Sequence, residues 1–239
     1  MGENKKTAKS VINQLAKYAD SDKAKTLSRF FKTSKGQYGE GDKFLGITVP
    51  KQRIVAKNNI TINLSELLPL LKSPFHEHRL TALLILTYKY PKSSLKERQD
   101  IIDLYLKNTK YVNNWNLVDL SAPKLLGQYL TDNPSKKPIL NRLASSKNLW
   151  DNRIAILSTF TFIRNNEFKP TINLSEKLLN HPHDLMHKAI GWMLREVGKK
   201  DQKKLLSFLD KHYQKMPRTM LRYAIERLDD KTRAYYMQK

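Results

Sequence analysis

The sequence predicts an all-α fold, and three observations carry that prediction. Glycine is scarce, 8 in 239 residues, while Leu, Lys, Ala and Ile abound, a bias toward residues that tolerate helices. Apolar residues recur at the helical period and strand-like alternation is scarce. Helix-start spacings recur along the chain. In chain order, Ala8, Val11, Ile12, Leu15, Ala16 and Ala19 mark the apolar stripe of a first amphipathic helix. The stretch 35–42, with Gly36, Gly39 and Gly41, reads as a loop after the second helix. Asn63 with Glu66, Ser94 with Glu97 and Asn173 with Glu176 have cap-x-x-Glu spacing, in which two backbone donors are satisfied reciprocally. Ser73 before Pro74 offers a cap followed by proline at the first helical position. Residues 80–86 and 154–163 are apolar nearly all round, so their helices need cover on several sides. Leu205, Leu206, Phe208, Leu209 and Tyr213 return to the amphipathic pattern. Pro91, Pro134, Pro138, Pro170, Pro182 and Pro217 read as punctuation between helices.

An internal repeat organises these helices. Ala82–Leu83, Asp119–Leu120, Ala155–Ile156, Ala189–Ile190 and Ala224–Ile225 superimpose at intervals of 37, 36, 34 and 35 residues. Each interval accommodates two helices and two turns, the unit of a HEAT-like α-solenoid, so the expectation is one curved superhelix of helix pairs over residues 1–239.

Composition narrows the function. Lys and Arg number 44 against 22 Asp and Glu, a formal charge of +22, with a pI near 10.0. Such an excess favours a polyanionic partner. The absence of cysteine removes disulfide frameworks, thiolate zinc sites and cysteine nucleophiles. The longest apolar stretch, residues 82–88, is far short of the roughly 18 residues of a membrane span. The charged start MGENKKTAKS lacks the apolar core of a signal peptide, and Gly2 lacks the Ser or Thr of a myristoylation signal. These features predict a soluble, cytoplasmic protein without a membrane partner.

The repeat breaks chemically at one position. Four units carry alanine at the aligned site and one carries Asp119. A small residue suits close helix packing, whereas an unpaired buried carboxylate costs several kcal/mol. Trp115, four residues earlier, shares its helix face. Pro123, four residues later, cannot bond to the Asp119 carbonyl: a continuing helix kinks there, or Ser121 caps the next one. Against a core ion pair stands a functional reading, in which Asp119 is a catalytic carboxylate. Trp192 sits three residues after its aligned position, so it and Trp115 point near the same face, while Trp150 reads as core. Arg79, Arg153, Lys188, Arg195 and Arg222 recur in the same helices, a pattern that suits a phosphate track.

Other signals carry less. His183 and His187 are spaced like a metal pair, but Asp184 stands where zinc peptidases need glutamate and a third ligand is not evident. The Tyr38–Asp42 loop lacks the GK[ST] ending of a phosphate loop, and Glu40 and Asp42 would repel phosphate. No metal or cofactor is expected.

Four motifs in order complete the pattern: Phe44-Leu-Gly-Ile-Thr-Val-Pro50 with Arg53; Trp115-Asn-Leu-Val-Asp119 with Pro123; Asn148-Leu-Trp-Asp-Asn-Arg153; and Lys188-Ala-Ile-Gly-Trp-Met-Leu-Arg-Glu196. On these residues the chain resembles the AlkD-like DNA alkylation-repair glycosylases, a HEAT-like repeat family. The resemblance implies removal of N3- or N7-alkylated purines from duplex DNA; a monomer is expected because a solenoid clasping a duplex needs its concave face free. It puts the catalytic aspartate on Asp119, the sugar-facing tryptophans on Trp115 and Trp192, and the active-site arginine on Arg153. A tyrosine of the family's second helix corresponds to Phe30 or Phe31, and the 34–42 loop resembles an insertion. Arg153 lies two residues before its aligned position, so its assignment follows from the resemblance and not from periodicity. The phosphate-track expectation attaches to Arg79, Lys188, Arg195 and Arg222. The alternatives are a non-catalytic binder of damaged or branched DNA on the same scaffold, a HEAT scaffold for an acidic protein, and an RNA-binding role.

Overall fold

The computed structural model describes residues 6–238. Gly2 and the first charged residues of the chain lie outside them. Among the described residues all regular elements are helical, and the one extended pairing is an isolated bridge between Lys43 and Phe75. The predicted fold class is therefore the observed one. No described helix is long and apolar enough to cross a membrane.

The chain divides into two compact units, Met1–Ser121 and Ala122–Lys239. The first holds α1 (Ala8–Ala16), α2 (Ser21–Phe30), α3 (Val49–Asn58), α4 (Leu64–Leu71), α5 (His76–Lys89), α6 (Leu95–Lys107) and α7 (Trp115–Ser121). The second holds α8 (Gln128–Asp132), α9 (Pro138–Ala144), α10 (Leu149–Arg164), α11 (Lys169–Lys177), α12 (Asp184–Lys200), α13 (Gln202–His212), α14 (Arg218–Ile225) and α15 (Asp230–Met237). The aligned repeat positions fall in α5, α7, α10, α12 and α14, each preceded by the first helix of its pair. Ala82, Ala155, Ala189 and Ala224 are fully buried, whereas Asp119 is half-buried. The apolar-all-round segments are the centres of α5 and α10. Helix α5 is covered by α3, α4 and α7, and α10 by α9, α11 and α12. Close packing is visible at Gly191 of α12, where a Cβ would meet the Met220 carbonyl oxygen and Tyr223 Cβ of α14, both at 2.5 Å.

The helix starts follow the sequence in part. Ser94 and Glu97 form the expected reciprocal box at α6. Asn63 stands at the N-cap of α4 without a side-chain cap bond, because Glu66 instead accepts from the Ala8 amide of α1 at 2.8 Å. Asn173 and Glu176 lie inside α11, which starts at Lys169 with Pro170 in its first turn. Helix α5 starts at His76, not beside Pro74; Ser73 accepts from the Phe75 amide and bonds to His78 Nδ1. At Pro123 the cap alternative fails. The Ser121 hydroxyl donates back to the Leu117 carbonyl at 2.6 Å, and Pro123–Gly127 forms a π-helical turn in which the Gly127 amide reaches the Ala122 carbonyl at 2.9 Å. Proline supplies no amide for an ordinary helical bond here, so the ladder lengthens by one residue.

The first unit is tied together by two buried carboxylates. Glu77, in the first turn of α5 and 1% exposed, accepts from the backbone amides of Leu45, Gly46 and Ile47 at 2.9–3.2 Å. The helix N-terminus favours this negative charge. Gly46 is required because its φ is +80° and a Cβ would lie 1.9 Å from the Asp20 carbonyl at the start of α2. One turn away, Asp42 lies 2.6 Å from Arg79 Nη2 and 3.2 Å from His76 Nδ1. Arg79 also donates to the carbonyls of Ser73 and Pro74. Burial raises the Asp42 pKa, but the His76 hydrogen bond and the Arg79 charge outweigh it and hold the carboxyl below its usual value. Burial, aided by the Arg79 charge, keeps His76 below its ordinary value despite Asp42.

Two predictions follow from these groups. Glu77→Gln turns amide donors toward three backbone donors, and should lower the unfolding free energy in urea by about 1.5–3 kcal/mol. For His76, the unfolded chain binds a proton that the folded chain refuses, so stability falls as pH drops below the ordinary value of 6.5. His78, His181 and His183 act with the same sign, and Asp42 adds a further loss below 3.8. A thermal midpoint measured against pH should decline between about pH 7 and pH 5, and His76→Gln should flatten part of that decline while lowering the midpoint at neutrality.

Candidate functional site

In the first unit the candidate residues converge on α7. Asn113, Asn114 and Asn116 bracket Trp115. Asn113 and Asn114 reach Asp42 by long contacts of 3.4 and 3.5 Å, and Asn116 Nδ2 donates to His76 Nε2 at 2.9 Å. Since His76 is neutral with Nδ1–H on the Asp42 carboxylate, Nε2 is its acceptor. The half-buried Trp115 donates through Nε1 to the Tyr38 hydroxyl at 3.3 Å. Its ring lies 5.5 Å from Phe31 and 6.1 Å from Phe30, the latter edge-on. Asp119, one turn later, shares the Trp115 side of α7, so this helix presents a carboxylate and an aromatic surface together.

The 34–42 loop plays a part that the sequence did not disclose. Tyr38 holds the Trp115 indole, and Asp42 is buried beneath the start of α7. Asp42 is thus not a surface charge set to repel phosphate. Arg79 is likewise buried, 4% exposed, with its guanidinium on Asp42 and two carbonyls. The phosphate contact expected of Arg79 is therefore corrected: a guanidinium enclosed by its own carboxylate and backbone serves the fold.

In the second unit the remaining candidates lie on α10, α12 and α14. Arg153 of α10, 5% exposed, donates to the Leu185 carbonyl in the first turn of α12 at 2.5 Å. Along α12, Asp184 pairs with Lys188 at 2.7 Å, one turn on. Burial raises the Asp184 pKa, but the Lys188 bond and charge, with the Thr219 hydroxyl and His187, hold it below its ordinary value. Trp192, half-buried, donates to Glu196 at 3.2 Å and packs 5.9 Å from Phe160, whose ring carries Arg164 at 4.4 Å. Glu196 also binds Lys199, and Arg195 bridges Glu196 and Glu226. Arg222 of α14 is exposed, and Trp150 is 7% exposed, as its core assignment requires.

The histidines of this unit are engaged locally. His183 caps α12 by accepting from the Leu185 amide, His181 bonds to Asn152, and His187 lies 2.5 Å from the His181 carbonyl. Burial first, then neighbouring positive charge, lowers the pKa of His181 and His183. Among the described residues there is no group of three or more His, Asp or Glu placed to hold a metal.

Sequence reasoning named Phe30 or Phe31 through the family resemblance but missed the roles of Tyr38, His76, Asn116 and Glu196. The Trp192–Glu196 bond had a readable signal, the four-residue helical spacing. Tyr38 and His76 lie 77 and 39 residues from Trp115 and had none; Asn116 is adjacent to Trp115, but its bond to His76 joins residues 40 apart.

Comparison with known proteins agrees with this arrangement of helices. The family described as DNA alkylation repair enzyme matches residues 11–228. The solved structure of a predicted DNA alkylation repair enzyme from Enterococcus faecalis superimposes with a TM-score of 0.70 at 16% identity, covering 89% of this chain and 97% of that one. No curated protein sequence matches. The match spans nearly the whole chain and both of its compact units, and on that extent the chain belongs to the DNA alkylation repair enzyme family.

Proposed function

We propose that this protein is a monofunctional DNA glycosylase that removes N3- or N7-alkylated purines from duplex DNA. What supports the reading, beyond the family, is the pairing on α7 of a half-buried carboxylate with a tryptophan held by Tyr38, Phe30 and Phe31 in a chain of net charge +22.

An alkylated purine already carries positive charge and leaves without protonation. As the C1′–N bond breaks, its electrons neutralise the base and an oxocarbenium-like sugar develops. The Asp119 carboxylate stabilises that charge where it forms and positions the attacking water. The Trp115 face offers a surface for the sugar and its cation. From the family motifs we assign Trp192 a second sugar-facing surface, and Arg153 the backbone phosphate or the orientation of Asp119. Lys188, Arg195 and Arg222 supply the phosphate contacts, and Arg79 is left out of that set. The protein acts as a monomer and as one HEAT-like functional domain. It is cytoplasmic, and associated with the nucleoid when on DNA. It uses no cofactor.

Base release from duplex DNA carrying N7-methylguanine tests the chemistry. Asp119→Asn should lower single-turnover release by about 10²–10³-fold and leave duplex affinity unchanged. Release that survives the substitution overturns the mechanism; absence of release with tight, salt-sensitive binding would make the protein a non-catalytic DNA binder. The phosphate track is tested separately: Lys188→Ala and Arg222→Ala should each reduce the slope of log affinity against log salt by about one and weaken binding to all sequences alike.

A further inference from the structure

Helix α10 is enclosed from Asn152 to Thr159 and again at Phe162 and Ile163. Between these stretches lie Thr161, whose hydroxyl donates to the Pro123 carbonyl at 2.6 Å, and the half-buried Phe160. One turn after Phe160 stands Arg164, exposed. Residues four apart share a helix face, so Phe160 and Arg164 mark the strip where this otherwise covered helix opens.

The strip is ordered. The Arg164 guanidinium lies over the Phe160 ring, 4.4 Å from its centroid, and that ring is 5.9 Å from Trp192 of α12. Trp192 is itself fixed by its indole bond to Glu196. Arg164 is the last residue of α10, where a cation could simply answer the terminal carbonyls of the helix. Its seat over Phe160 turns it the other way, back along the helix as helical side chains lean. The charge is thereby carried toward Trp192. Contact with the ring also limits the rotamer freedom that a long cation gives up on binding.

Pairing separates Arg164 from the other cations of this surface. Lys188 is held by Asp184, Arg195 by Glu196 and Glu226, and Lys199 by Glu196. Glu196 is compensated in turn by Arg195 and Lys199. Arg164 has no carboxylate partner among the described residues, and an aromatic face attracts its charge without taking up its N–H donors. A guanidinium with a free fork of donors matches the oxygens of a phosphodiester.

We propose that Arg164 binds the phosphate of duplex DNA next to the nucleotide whose sugar meets Trp192. The choice of duplex DNA rests on the glycosylase reading; the choice of residue rests on the Phe160 seat and the missing carboxylate.

Binding of the full chain to a duplex carrying a tetrahydrofuran abasic analogue tests it, with each flanking phosphate replaced in turn by a neutral methylphosphonate. One replacement should weaken the wild type about tenfold, and should leave Arg164→Ala, already weakened by the same factor, unaffected. Arg164→Ala should also lower the slope of log affinity against log salt by about one. Arg142→Ala, which removes an exposed arginine of α9, should keep the response to that phosphate. Phe160→Leu retains the charge and so the salt slope, and should reduce the response to that phosphate about threefold. Each variant is checked for an unchanged helical thermal transition. An Arg164→Ala protein that answers every flanking phosphate as the wild type does overturns the proposal, and so does a Phe160→Leu protein with an undiminished response. Wild-type binding that is weak and insensitive to salt would sink the duplex reading itself, and the proposal with it.

Discussion

A carboxylate withdrawn from water is tolerated only where donors surround it, and the first unit is organised around two that meet this condition. Glu77 gathers the amides of residues 45–47, and Asp42 gathers Arg79, His76 and the asparagines before α7. Both link the segment after α2 to the first turn of α5. Removing either partner of such a pair leaves a charge with nowhere to go, which makes the arrangement rigid. From Asp42 the order passes through His76 to Asn116, beside Trp115. The residue offered for catalysis is held by groups far from it in sequence.

The aromatic residues extend this order into shape. Trp115, Phe31, Phe44 and His76 are within about 5.5 Å of their neighbours. Stacked rings define planes and exclude water, while the amides at their edges set hydrogen-bond polarity. With the Asp42 carboxylate beside His76 Nδ1, the other ring nitrogen meets the Asn116 amide. The second unit uses the same economy on one helix. Asp184, Lys188, Trp192 and Glu196 succeed one another at four-residue steps along α12, and each indole or ammonium is held by the residue one turn away.

Net charge and local charge give different messages. An excess of 22 positive charges states that a polyanion is the expected partner, but does not say which cations meet it. Arg79 is enclosed, Arg195 is shared between two glutamates, Lys188 is paired at the surface, and Arg222 is exposed. Only pairing and burial separate a cation that serves the fold from one able to release counterions on a duplex.

The sequence by itself determined the all-helical class, the spacing of the helix pairs and the family, because these depend on local periodicity and on motifs contiguous in the chain. It also singled out Asp119, since a carboxylate at a position otherwise reserved for alanine is visible without coordinates. It misplaced the α5 and α11 starts and the α4 cap bond: Glu66 found a tertiary partner in the Ala8 amide, while Ser73 bonded within its own turn, to the Phe75 amide and His78. The tertiary structure alone decided that Arg79 is interior, that the 34–42 loop carries Tyr38 to Trp115, and that α2 borders an apolar cavity. These contacts join residues tens of positions apart, and no local pattern encodes a partner that the chain reaches only when folded.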